Sequence, residues 1–163
     1  MQSNDQKHPD VVLDPAQLKR IESVHKGFLY QHLYAVGCLF LAQSSEVNEV
    51  LVELDEDVEL TTASGRVYVQ VKTRSRPLMP GDAAGALERF EIIRQEHGPG
   101  LRAGKPEFVI VANQPLGETF QTEVDENKTS SDLIYLHPDS KASRPGYLPP
   151  AWATLEEAAQ CTG

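Results

Sequence analysis

The sequence predicts an α/β fold with a small mixed sheet flanked by helices. Three observations predict it. A long N-terminal stretch carries apolar residues at helical spacing. Two alternating segments, Val50 to Leu60 and Arg66 to Lys72, are joined by a short turn, as in an antiparallel hairpin. A second helical pattern then leads into Glu107 to Ala112, an apolar run of the kind that forms a strand buried on both faces.

Taken in order, residues 1–13 read as a flexible N-terminal lead. Asp14 followed by Pro15 is a helix start, a capping side chain before a proline in the first turn. From there Leu18, Ile21, His25, Phe28, His32, Val36 and Phe40 recur at helical spacing, with Leu29, Leu33 and Leu39 widening the stripe. This predicts one helix from Pro15 to Gln43 with that stripe toward the core. Gly27 lowers its propensity by about 1 kcal/mol relative to Ala, and marks a kink or a close backbone approach.

In the first strand segment Val50, Val52, Leu54, Val58 and Leu60 share one face, and Glu53, Asp55, Asp57 and Glu59 the other. Thr61 to Gly65 is the turn. Val67, Val69 and Val71 then alternate with Tyr68, Gln70 and Lys72. Asp82 to Gln95 reads as a helix closed by Gly98-Pro99-Gly100. Leu116 to Val124 reads as a short helix and Leu133 to Leu136 as a short strand. Residues 14–137 form the folded body. The proline- and polar-rich residues 138–163 read as a linker or the start of a following domain.

With 163 residues, 40% of them hydrophobic and 24% charged, the chain has the size and composition of one soluble domain with a real core. No apolar run is long enough to span a bilayer, and the N-terminus lacks the basic start and apolar core of a secretory signal. Cys38 and Cys161 lie far apart, which argues against a disulfide framework or a zinc site and for a cytoplasmic chain. His25 and His32 read as partly buried, His97 and His137 as surface residues, and Cys38 as core. The net charge of −9 opposes nucleic-acid binding in general. Its distribution does not: every charge from Ser44 to Leu60 is acidic and every charge from Arg66 to Arg76 is basic.

The hairpin would bring Asp57, Gln70 and Lys72 close together. Hydrolysis of a phosphodiester needs an activated water and compensation of negative charge, and a divalent cation supplies both. Mg2+, with Mn2+ as a substitute, takes oxygen ligands and only one or two protein carboxylates. Asp57 offers the carboxylate, Gln70 an amide oxygen and Val71 a backbone carbonyl. The Lys72 ammonium on the same face would hold the attacking water or stabilise the transition state. Glu53 would support the metal, and Arg74 and Arg76 would clamp flanking phosphates.

The order Asp57, turn, Gln70-x-Lys72 resembles the core motif of the PD-(D/E)xK nuclease superfamily, in a branch where Gln replaces the second acid. Gly27-Phe28-Leu29-Tyr30-Gln31, then Glu53, Glu56-Asp57-Val58 and Gln70-Val71-Lys72-Thr73, resemble the double-stranded DNA endonuclease domain of CBASS-type and NTPase-linked bacterial antiviral effectors. The likeness covers Pro15 to Thr73 well and the region to Leu136 only generally. It implies a restriction-endonuclease-like core, a nuclease domain over 14–137, and a Mg2+-dependent endodeoxyribonuclease of low sequence specificity. Asp57 and Gln70 would be metal ligands and Lys72 the catalytic lysine. Tyr30 and Gln31 would support the site from the first helix, and Lys26 with Arg74 and Arg76 would contact DNA phosphates. Glu22 lies too far before Gly27 to serve as a helical acid. The implied partners are double-stranded DNA and a fused or activating oligomerising sensor or NTPase domain, with no membrane. Two rivals stay open: a catalytically inactive nuclease-like binding module, and an RNase.

Overall fold

The first helix starts as its sequence requires: the Asp14 carboxylate accepts from the Ala16 N–H at 2.9 Å, ahead of Pro15. In the computed structural model, residues 14–126, 131–140 and 143–163 are described; the expected lead, 1–13, lies outside them. The elements are α1 (Pro15–Ala42), β1 (Val47–Val52), β2 (Val58–Thr62), β3 (Gly65–Lys72), α2 (Pro80–His97), β4 (Lys105–Ala112), α3 (Glu118–Glu126), β5 (Leu133–Leu136) and α4 (Leu155–Thr162). The strands form one mixed sheet in the order β1-β2-β3-β4-β5. β1, β2 and β3 run antiparallel to their neighbours, while β3, β4 and β5 are parallel.

Strand alternation sends side chains to two separate cores. Val67, Val69, Val109 and Val111 pack with Tyr34, Cys38, Trp152 and Ala158 on the α1 and α4 side. Tyr68, Phe108 and Ile110 pack with Phe90, Ile93 and Phe120 on the α2 and α3 side. β4 is covered on both faces, which explains its unbroken apolar run. At the start of β3 a Cβ on Gly65 would lie 1.9 Å from the Lys105 carbonyl oxygen, so only glycine lets β3 and β4 approach there.

The structure corrects the sequence reading in four places. Val50 to Leu60 is not one strand. It is β1 and β2 joined by an acidic loop, with Val52 paired to Val58. Glu53 takes a positive φ of 54°, its N–H donates to the Asp57 carbonyl at 3.2 Å, and the loop closes on itself. Glu59, fully buried, accepts from the Asp55 and Glu56 N–H groups at 2.7 and 3.2 Å and meets Arg66 at 3.4 Å. Glu53, Asp55, Asp57 and Glu59 therefore do not form one repelling strand face.

The face of α1 is also reversed. Its buried residues are Tyr30, Gln31, Tyr34, Ala35, Gly37 and Cys38, while Leu18, Ile21, Val24, Phe28, Leu29, Val36, Leu39 and Phe40 are exposed. His25 and His32 are exposed with them. The tyrosines decide the orientation, because both bury their rings against Trp152 edge-on, at 6.1 and 5.7 Å. The Tyr30 hydroxyl donates to the Trp152 carbonyl and accepts from the Trp152 N–H, and Tyr34 donates to the Pro149 carbonyl at 2.9 Å.

Those contacts overturn the linker reading for the described part of 138–163. Leu148, Trp152 and Ala158 belong to the core, and Pro149 and Trp152 fit against Gly37, where a Cβ would come within 3.0–3.2 Å. His97 is buried rather than superficial: Nε2 meets the Tyr68 hydroxyl at 2.8 Å and Nδ1 the Gly104 carbonyl at 2.9 Å.

Candidate active site

The β2–β3 register, Val58 opposite Val69, carried one residue further sets Asp57 beside Gln70. Together with α1 this makes a cleft of about 350 Å3 lined by Gly27, Gln31, Asp57, Gln70, Val71 and Lys72 among others. Gly27 lets the helix close on the sheet, because a Cβ there would lie 3.1 Å from the Thr73 hydroxyl. Of the two roles that Gly27 suggested, close approach is the one observed.

Asp57, just before β2, is held to β3: its Oδ2 accepts from the Val71 N–H at 2.7 Å. Burial pushes its carboxyl above the ordinary range. The Val71 N–H and the Lys72 charge pull it back, and Glu53 pushes it up again. Gln31 does not reach that carboxylate. Its Nε2 donates to the Asp57 backbone carbonyl at 3.3 Å and ties α1 to the loop. Lys72 forms no direct ion pair among the described residues, and its charge acts on Asp57 from beside the cleft.

Glu56 completes the arrangement, and its role was missed in the sequence. Its carboxylate is buried, accepts from Gln70 Nε2, and lies 3.3 Å from Arg89 Nε. Burial raises its carboxyl, while the Gln70 hydrogen bond and Arg89 act to lower it. Because the amide nitrogen of Gln70 is engaged with Glu56, the amide oxygen is the atom left to accept or ligate. The only advance signal was the adjacency of Glu56 to Asp57. Its partner Arg89 sits on α2, far along the chain.

Other expected site residues fall elsewhere. Tyr30 is core and does not line the cleft. Glu53 sits in the exposed loop; its N–H bonds the Asp57 carbonyl, and its side chain acts on the Asp57 carboxylate through its charge. Arg74 and Arg76 are exposed but both pair with Asp82, at 2.9 and 2.8 Å, and this holds the Asp82 carboxyl far below its usual range. Arg74 is further fixed by Asn113, whose Oδ1 accepts from its N–H at 2.8 Å and whose Nδ2 donates to its carbonyl at 3.0 Å. Lys26 is exposed and, with Lys19, Arg74 and Asn113, lines a groove of about 620 Å3 that shares Ser23, Thr73 and Arg74 with the cleft.

The donor set is oxygen only: one carboxylate, one amide oxygen and backbone carbonyls, with water free to enter. That suits Mg2+ and not zinc. Among the described residues no three His, Cys, Asp or Glu side chains gather to form a metal cage, so any cation here rests on Asp57 as its only acidic ligand in the cleft. A cavity of about 640 Å3 between α3 and β5 is lined by Leu116, Val124, Tyr135 and His137 and also by Gln121, Asp125 and Asp139; there Gln121 Nε2 donates to Asp125 at 2.9 Å, and no lysine among the described residues joins them. No helix among the described residues is long and apolar enough to cross a membrane. Comparison with known proteins finds no matching family model, no similar curated protein and no similar solved structure.

Proposed function

We propose that this chain is a Mg2+-dependent DNA endonuclease module with a restriction-endonuclease-like core and low sequence specificity, acting in bacterial antiviral defence. The observation that carries the reading is the meeting of Asp57, Gln70 and an unpaired Lys72 at one cleft. A helix, three antiparallel strands, a helix and a parallel strand frame it. Asp57 and the Gln70 amide oxygen would hold the cation, with the Val71 carbonyl as a further donor. The cation supplies an activated water and charge compensation at the phosphate. Lys72 stabilises developing negative charge, and the Lys19 and Lys26 groove receives the flanking backbone. With a net charge of −9, binding by the isolated chain is weak, which is why an oligomerising sensor or NTPase partner belongs to the proposal.

The test is nicking of supercoiled plasmid with and without Mg2+. Lys72→Ala lowers the rate by about 10²–10³-fold and leaves the far-ultraviolet circular dichroism unchanged. Equal activity in both proteins removes Lys72 from the mechanism. One observation favours the silent-module reading: Asp57 is alone as an acidic ligand in the cleft. It predicts no Mn2+ binding to the wild-type chain. Matched DNA and RNA duplexes at one salt concentration separate the DNase from the RNase.

A further inference from the structure

The apolar stripe of α1 that points away from the core is left without a partner by the packing among the described residues. Leu18, Ile21, Val24, Phe28, Leu29, Val36, Leu39 and Phe40 are 36–57% exposed and run the length of a 28-residue helix. Contiguous apolar surface on this scale marks an interaction site. We propose that it pairs with the same stripe of a second copy of this chain, as two antiparallel helices related by a twofold axis.

The stripe itself identifies its partner. A twofold contact must be self-complementary, so that residue i meets j and j meets i. Read outward from the point between Phe28 and Leu29, the stripe is nearly the same in both directions. Ile21 mirrors Val36, Leu18 mirrors Leu39 and His25 mirrors His32, while Phe40 falls opposite Gln17 and Val24 opposite the partly buried Leu33. Antiparallel pairing therefore sets apolar against apolar at Leu18–Leu39, Ile21–Val36 and Phe28–Leu29, and imidazole against imidazole. An unrelated partner would not require this symmetry. The eight side chains expose about 600–800 Å2 per copy, so two copies reach the ~1,200–2,000 Å2 of a specific interface.

Val24 and Phe28 lie both on the stripe and on the rim of the Asp57 cleft. Pairing would therefore bring two clefts to either side of one seam. The proposal does not depend on the nuclease reading, since the stripe can pair whether or not the cleft is catalytic.

Sedimentation velocity over a wide concentration range tests it. The wild-type chain gives a reversible monomer–dimer equilibrium that tightens with salt, because each copy carries −9. Ile21→Glu lowers the dimer affinity at least about tenfold. Adding Val36→Lys to the same chain restores it, since those positions meet only across the twofold. Both sites are surface positions, and circular dichroism verifies the fold. In a Cys161→Ser background, mild oxidation links His25→Cys chains to His32→Cys chains in a mixture but links neither to itself. A chain that stays monomeric, a dimer indifferent to Ile21→Glu, or self-linking of His25→Cys overturns the proposal. So does a monomer that instead co-sediments with phosphatidylcholine vesicles, which would assign the stripe to a lipid surface.

Discussion

Asp57 carries a conflict between folding and function that a single atom exchange exposes. Its carboxyl is raised by burial, so ionising it costs the folded state. That cost is absent below the unfolded value of about 3.9, grows as pH rises through the higher folded value, and is complete above it. Asp57→Asn keeps an oxygen for the Val71 N–H and removes the charge. It should therefore melt at a higher temperature than wild type at pH 7, converge with it in acid, and lose Mg2+-dependent cleavage. Thermal scans across pH, run beside the plasmid assay, check all three. The adjacency of Asp57, Gln70 and Lys72 was legible in the sequence because hairpin register follows from local alternation. The burial of Glu56 was not, because it depends on Arg89 arriving from α2. Tyr30 was misplaced for a related reason: its partner, Trp152, lies in a segment whose composition reads as linker.

At the scale of elements, α2 and the end of β3 compete with any phosphate for the same two guanidiniums. Asp82 accepts from the Met79 N–H at 2.9 Å at the start of α2, while it holds Arg74 and Arg76. Its depressed carboxyl adds stability above the unfolded value that is lost as pH falls through the folded one. Asp82→Asn should lower the melting temperature at neutral pH and release both arginines. DNA affinity measured against salt should then rise, with a slope steeper by roughly 2. Gly27→Val wedges α1 away from Thr73. It should destabilise the fold by about 1–3 kcal/mol in urea titration and depress cleavage more than a surface Gly→Val would. The ends of α1 were readable from Asp14 and Pro15, but its buried face was not. The helix has two apolar faces, and periodicity selects the more hydrophobic one whichever way it points. The break at Glu53 was hidden because the loop preserves the alternation between Val52 and Val58 in phase. Only a positive φ reveals the turn.

For the whole molecule, two cores share one sheet, and the α1 side is closed by residues 143–163. The sequence revealed the sheet and its α2 side, whose residues lie close in sequence to the strands they cover. The α1 side was obscured because Leu148 and Trp152 are isolated apolar residues among prolines. Trp152→Ala should cost about 3–5 kcal/mol, because it empties the space between Tyr30, Tyr34 and Gly37. Trp152 is the sole tryptophan, so its fluorescence follows release of this segment directly in wild-type unfolding. The same contact governs the order of events on the ribosome. Tyr30 waits 122 residues for the backbone of Trp152, so in a nascent chain α1 can dock on β1 and β3 well before this second contact forms. Translation thus seals the first helix in two stages, the hairpin first and the Trp152 segment after it.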